Sequence, residues 1–214
     1  MANDCCARKG DTIAELGQRA DQRRVLLIVM LINLAMFAAE FGFGVIARSS
    51  AMMADSVDML GDAIVYALSL YAMTRGPRWE AGAAITKAGI ILAFAIGIFV
   101  ETMFKIAAGV TPSSRIMLSV TMIALIANLA CLVLLWRFRN LNVNMSSTFE
   151  CSQNDVLANV GVIVAGLLVA WTGAAWPDIL VGFIIAVLFV RSAFRVLRSG
   201  WPVWRGHAGH VQFE

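Results

Sequence analysis

Three aspartates, Asp55, Asp58 and Asp62, recur at helical spacing inside a stretch that otherwise reads as membrane-spanning. Residues three or four apart lie on one face of a helix, so the three carboxylates form one acidic stripe. A carboxylate at mid-bilayer costs about 2.5–3.5 kcal/mol on insertion scales, and three cost roughly 8–10 kcal/mol by simple addition. Such a helix persists if water, a proton or a cation offsets the charge. The stripe therefore predicts chemistry inside the membrane.

A second polar series, Cys151, Asp155 and Asn159, has the same spacing of one helical turn in a later apolar stretch. Two helices that each offer a pair of ligands one turn apart can close a four-ligand site when they pack side by side. Three carboxylates and a thiolate suit a borderline divalent metal, zinc first, with cadmium or cobalt next. The thiol argues against magnesium and calcium, which prefer shells made entirely of oxygen.

Structural explanations compete with this metal site. A single intramembrane aspartate can have a purely structural role, as a hydrogen-bond partner in helix packing. A lone cysteine is often an inert small hydrophobe, so the role of Cys151 as a ligand remains open. Asp55 is the weakest of the three aspartates, since it lies nearer the helix end and can support the fold by capping or hydrogen bonding. Asn154 could replace Cys151 as a ligand, but it points about 100° away from Asp155.

The composition indicates an all-α membrane protein. Of the 214 residues 60% are hydrophobic and 14% are charged, and the mean hydropathy is +0.78, whereas a soluble domain has about 45–50% apolar and about 25% charged residues. The net charge of +3 is too small to suggest a nucleic-acid partner. With about 20 apolar residues needed per crossing, we predict six transmembrane helices, at about 25–47, 50–74, 82–109, 115–136, 148–172 and 178–199.

The charge distribution predicts that both termini are cytoplasmic. Arginine and lysine residues concentrate before the first span, after the second and fourth spans, and at the end of the chain. The opposite side has only Arg48, Lys105 and Arg115, so the positive-inside rule orients the protein. We expect a cytoplasmic N-terminal segment at 1–24, a six-helix transmembrane domain at 25–199, and a short cytoplasmic tail at 200–214.

Further polar residues have two interpretations each. Glu40 in span one either lines a cavity and relays protons or only forms interhelical hydrogen bonds, whereas hydrogen bonding is favoured for Asn128. Asp178 is expected to cap the N-terminus of span six, where the helix dipole favours an acidic residue. Terminal cysteine and histidine residues either collect metal at the cytoplasmic mouth or belong to solvated tails, which is the favoured interpretation; they are Cys5, Cys6, His207 and His210.

Three runs of the sequence resemble the cation diffusion facilitator family. The run from Ser49 to Asp62 looks like that family's second helix, in which a small-residue stretch ending in Ala-Asp leads into His/Asp-x-x-x-Asp. The run from Cys151 is similar to the fifth helix, His/Asp-x-x-x-Asp followed by Val-Gly-Val. The segment from Trp176 to Gly182 resembles the start of the sixth helix, Asp-Pro-x-x-Gly. The resemblance extends from about residue 25 to 199, over all six spans.

The resemblance implies a transport site for a metal ion. Carried over by residue, the family's ligands fall on Asp58 and Asp62 of span two and on Cys151 and Asp155 of span five. Asp55 matches an acidic position that is not usually a ligand, and we expect it to support the site. Asn159 and Glu40 are expected in the same role.

Two departures from the family pattern affect this expectation. Cys151 stands where the family usually has His or Asp, which leaves the metal selectivity open. The family's cytoplasmic C-terminal domain is also not expected in this chain, so a homodimer would have to form through the transmembrane helices.

The function expected from the sequence is proton-coupled efflux of divalent transition-metal cations by alternating access, with Zn²⁺ as substrate, Cd²⁺ or Co²⁺ as alternatives and protons as the counter-ion. Location in a bacterial inner membrane is part of this expectation. The alternatives are a passive metal channel, a metal sensor and an intramembrane aspartyl hydrolase. Leu60-Gly61-Asp62 is not the Gly-x-Gly-Asp of such proteases, and a thiol beside the acids has no place in their chemistry.

Overall fold

The computed structural model describes residues 2–72, 77–140 and 143–204, together with most side chains from residue 20 onward in these ranges. The described residues form helices and short connections, which confirms the predicted all-α class with six helices. The helices are α1 (Ala2–Ala47), α2 (Ser50–Ala72), α3 (Pro77–Ala108), α4 (Ser114–Trp136), α5 (Val143–Thr172) and α6 (Trp176–Trp204).

Several helices extend beyond the predicted spans. Helix α1 begins at Ala2 instead of near residue 25, α3 at Pro77, and α5 at Val143. Hydropathy locates the part of a helix that suits a bilayer, but polar residues with good helix propensity continue the helix past that part. Most of the predicted N-terminal segment is therefore the first part of α1.

Three helices are long and apolar enough to cross a membrane by length and composition, within the described part of the chain: Ala20–Ala47, Ser114–Trp136 and Thr148–Thr172. Trp176–Leu188 is a shorter apolar helix. Helix α2 has the length of a span but carries three carboxylates within its first thirteen residues. Large apolar side chains on the outer faces, such as Val133, Phe104 and Leu157, are mostly exposed, as lipid-facing side chains would be.

Left-handed backbone conformations end three of the helices. Arg48, at φ 54°, forms the tight α1–α2 junction, where the Ser49 amide donates to the Gly44 carbonyl at 2.9 Å. Gly109 and Gly173, at φ 63° and 64°, follow α3 and α5. A residue of this conformation after the last turn satisfies helix carbonyls that would otherwise lack a donor.

Helix α2 occupies the centre of the bundle. It packs against α1, α3, α5 and α6, whereas α4 packs against α1 and α5. All residues from Ala51 to Val57 are buried. The acidic stripe is consequently enclosed by neighbouring helices, and the chemistry of those neighbours determines what the carboxylates can do.

Candidate metal site

The acidic stripe of α2 is buried to different depths along its length. Asp55 is 0% exposed and Asp62 is 3% exposed, whereas Asp58 is partly exposed. On α5, Asp155 is 1% exposed and Cys151 is partly exposed. Each helix therefore contributes one buried and one partly accessible member of the predicted ligand set.

The contact between Asp55 and Asn159 sets the register of α2 against α5. The side-chain amide of Asn159 donates to Oδ2 of Asp55. Helices α2 and α5 run antiparallel, since Asp55 pairs with Asn159, whereas Tyr66, later in α2, interacts electrostatically with Cys151, earlier in α5. Each residue advances about 1.5 Å along a helix. One turn from this contact, toward the C-terminus of α2 and the N-terminus of α5, Asp58 and Asp155 lie at about the same level. Another turn brings Asp62 to about the level of Cys151.

Tyr66 interacts with ligand candidates on both α2 and α5. Its phenolic hydroxyl donates to Oδ2 of Asp62 at 3.0 Å, one turn along the same helix. Asp155 and Cys151 of α5 are within electrostatic range of the same phenol. The tyrosine thus bonds to one ligand candidate on α2 and lies in the electrostatic field of both candidates on α5.

The predicted ligands do not form a closed coordination shell. Among the described residues, no three His, Cys, Asp or Glu side chains come close enough together to hold one metal ion. By the register above, Asp58, Asp62, Cys151 and Asp155 occupy two successive turns of α2 and α5. A four-ligand site would require a further approach of α2 and α5.

A buried polar network adjoins this region on the side of Asp55. Asn159 connects α2 to α4, since it donates to Asp55 and accepts from the Asn128 amide at 3.3 Å. This confirms the prediction that Asn128 forms an interhelical hydrogen bond. Glu40 of α1 is fully buried and adjoins Asp55 and Thr121. The network joins α1, α2, α4 and α5 through polar groups that a bilayer would otherwise penalise.

The expected position of Asp178 at the start of α6 is confirmed, but the helix whose amides it caps is a different one. Asp178 lies in the first turn of α6, but its carboxylate accepts hydrogen bonds from the backbone amides of Ser50 and Ala51 at 2.8 and 3.2 Å. It also accepts from the Ser49 hydroxyl at 2.5 Å. These amides are the first donors of α2, which have no partner within the helix. Asp178 therefore caps α2, the helix that carries the acidic stripe.

Lys105, near the end of α3, is a buried ion-pair partner. Its Nζ lies 3.1 Å from Oδ2 of Asp178, and both side chains are buried. Nζ also donates to the Ser50 hydroxyl at 3.0 Å, which is 2.8 Å from the Thr102 hydroxyl. The polar groups at this end of the bundle thus connect α2, α3 and α6.

Sequence reasoning missed Tyr66 and Lys105. A signal existed for Tyr66, because it follows Asp62 by four residues and so shares its helix face. Lys105 lies near the end of an apolar helix, and the sequence does not show which carboxylate it meets. The side chains of Cys5 and Cys6, and His207 and His210 entirely, lie outside the described residues.

Residues 26–203 match the family model of the cation efflux transmembrane domain. The match covers most of the chain, so the chain belongs to the cation efflux family, also called the cation diffusion facilitators. The resemblance predicted from the three sequence runs is thereby confirmed, and the protein is an integral membrane protein.

The chain is similar to several curated bacterial proteins. It is 25% identical over 191 residues to the cadmium, cobalt and zinc/H(+)-K(+) antiporter of Bacillus subtilis, covering 83% of this chain and 61% of that protein. It is 26% identical over 198 residues to the metal cation efflux system protein CzcD of Cupriavidus metallidurans, covering 84% and 63%. It is 27% identical over 203 residues to the zinc transporter ZitB of Escherichia coli, covering 88% and 64%.

The chain thus spans less than two thirds of the length of these three relatives. All three are named as transporters, efflux proteins or antiporters. This favours a transporter over the intramembrane aspartyl hydrolase that the paired carboxylates left open.

Proposed function

We propose that the chain exports divalent transition-metal cations, with Zn²⁺ as substrate and Cd²⁺ or Co²⁺ as alternatives, in exchange for protons. The observation that carries this proposal is the packing of α2 beside α5. On these two helices Asp62 and Asp155 are buried, whereas Asp58 and Cys151 are partly exposed. Buried carboxylates beside a thiol match the ligand preference of zinc and its neighbours.

Metal binding would draw the two helices together. A divalent cation entering from the cytoplasm would reach the level of Asp62 and Cys151 first, and Asp58 and Asp155, one turn deeper, would then complete its shell. The charge of the cation offsets the cost of the carboxylates inside the membrane. Rocking of the helices afterwards opens the site to the other side.

Protons provide the return step. Metal ligands must be deprotonated to bind, so protons and metal ions compete for the same carboxylates and thiol. When the site opens outward, protons displace the metal and neutralise the acidic groups while the empty site returns. The name of the Bacillus subtilis relative includes potassium as well as protons, so a potassium gradient belongs in any test of coupling.

Zinc uptake into proteoliposomes tests the site. Asp58→Ala should abolish uptake while the protein still inserts into the membrane. Glu150→Ala is the matched control, because Glu150 is an exposed carboxylate on α5 next to Cys151. Normal zinc uptake by the Asp58→Ala protein would overturn the site assignment.

Collapse of the pH gradient separates an antiporter from a channel. An antiporter should stop moving zinc against its gradient when a protonophore removes the pH difference, whereas a channel continues to conduct zinc down its gradient. A second set of vesicles with a potassium gradient and no pH difference shows which ion is the counter-ion. A sensor would bind zinc and show no uptake under any gradient.

Two further expectations complete the proposal. The protein resides in the inner membrane of a bacterium and forms a homodimer through its transmembrane helices. Crosslinking in native membranes, compared with the mass of the detergent-solubilised particle, tests the dimer. A particle that remains monomeric in both measurements contradicts it.

A further inference from the structure

The ring of Tyr66 packs among apolar side chains, whereas its hydroxyl makes one hydrogen bond among the described residues. The ring is fully buried in a cluster that includes Leu26 of α1, Leu135 of α4 and Phe149 of α5. A phenylalanine would serve this packing equally well. The hydroxyl, in contrast, reaches Oδ2 of Asp62 at 3.0 Å.

The position of this bond gives it consequences for a metal ion. Asp62 is one of the four ligand candidates, and Asp155 and Cys151 of α5 act electrostatically on the same phenol. A carboxylate that keeps Oδ2 bonded to the phenol coordinates a metal through its other oxygen. Partners that hold a ligand in this way fix its orientation and tune the metal site.

We propose that Tyr66 is a positioning residue that holds Asp62 in the orientation for single-oxygen coordination and thereby sets the metal affinity and selectivity of the site. This inference rests on the proposed function, since it requires Asp62 to be a ligand. A small cation such as Zn²⁺ is well served by one oxygen of each carboxylate. Without the phenol, Asp62 can rotate and offer both oxygens, which favours a larger cation such as Cd²⁺.

Tyr66→Phe tests the proposal because it removes only the hydroxyl. Loss of such a supporting hydrogen bond typically costs 10–100-fold in metal affinity. We expect the zinc dissociation constant and the KM for zinc uptake to rise about tenfold, with the maximal rate nearly unchanged and the preference for zinc over cadmium reduced. The visible absorption spectrum of the Co²⁺-loaded protein should change as well, because it reports the coordination of the metal.

Tyr66→Leu serves as the packing control, since it removes the ring together with the hydroxyl. A role in packing alone predicts that Tyr66→Phe behaves as the unaltered protein in zinc affinity, zinc–cadmium preference and cobalt spectrum, and that only Tyr66→Leu lowers the melting temperature. That outcome overturns the inference about Tyr66. The proposed function would still stand, because the unaltered protein would bind zinc and Asp58→Ala would not. If the unaltered protein binds no zinc, the proposed function itself fails.

Discussion

Lys105 of α3 and Asp178 of α6 form a buried ion pair at 3.1 Å, and Asp178 simultaneously caps the N-terminus of α2. The pair thus fixes the beginning of the helix that carries the acidic stripe. Gly182, one turn after Asp178, lets α6 approach the backbone of α2 closely. These contacts hold α2, α3 and α6 together at one end of the bundle.

Breaking the ion pair on one side should be costly. Lys105→Met leaves the charge of Asp178 buried without its partner, for which losses of about 3–5 kcal/mol are typical. The double substitution Lys105→Met with Asp178→Asn removes both charges and should recover part of this loss. Denaturant unfolding of the protein in detergent, followed by circular dichroism, measures both. Equal stability of the single and double variants would contradict the ion-pair account.

A side chain at position 182 should push α2 and α6 apart. A Cβ atom added there would lie 2.8 Å from the Ser50 carbonyl carbon and 2.9 Å from the Ala51 nitrogen, and these backbone atoms cannot move separately from α2. Overpacking of this kind costs about 1–3 kcal/mol, so Gly182→Ala should be destabilising.

Gly97→Ala is the matched control for Gly182→Ala. A Cβ atom at position 97 of α3 meets no atom of the described part of the chain within 4 Å. Alanine inside a helix is favoured over glycine by roughly 0.5–1 kcal/mol, so this variant should be slightly stabilised. Melting temperatures in the same detergent should therefore move in opposite directions for the two variants.

Asn159 and Asp155 lie one turn apart on α5 and should differ in what their loss affects. Asn159→Ala deprives Asp55 of a donor, and a buried acceptor left unpaired costs about 1–3 kcal/mol. Zinc should still bind with unaltered stoichiometry. Asp155→Ala should instead lose zinc binding. Calorimetric titration with zinc and thermal unfolding distinguish the two, and loss of zinc binding in Asn159→Ala would make Asn159 more than a support.

Cys151 should set the preference among metals. A thiolate favours the softer cadmium ion, so Cys151→Asp should reduce cadmium uptake more than zinc uptake. Cys131→Ala is the control, since Cys131 is a buried cysteine of α4 outside the predicted ligand set. Competition of cadmium, cobalt and manganese with zinc in proteoliposomes measures the effect. An unchanged cadmium-to-zinc ratio would remove Cys151 from the ligand set.

The sequence by itself determined the helical class and the family. Apolar runs predicted the six helices, because a bilayer requires a minimum apolar length whatever the neighbours are. The motifs around Asp58 and Asp155 identified the family because their spacing repeats with the helix and is therefore visible along the chain. The positions of the helix ends were predicted less well, since polar extensions such as the first part of α1 leave no apolar signal.

Only the tertiary structure decided which polar groups meet. Asp178 and Ser50 are separated by 128 positions, and the sequence assigned Asp178 to the nearest helix terminus because local capping is the usual case. The burial of Lys105 depends equally on α6 approaching α2 at Gly182. The bond from Tyr66 to Asp62 is local, but only the packing of α5 beside α2 puts the same phenol within electrostatic range of Asp155 and Cys151. Contacts between residues far apart in the sequence depend on how the helices pack around α2. The periodicity of residues along one helix does not show which helices lie beside it.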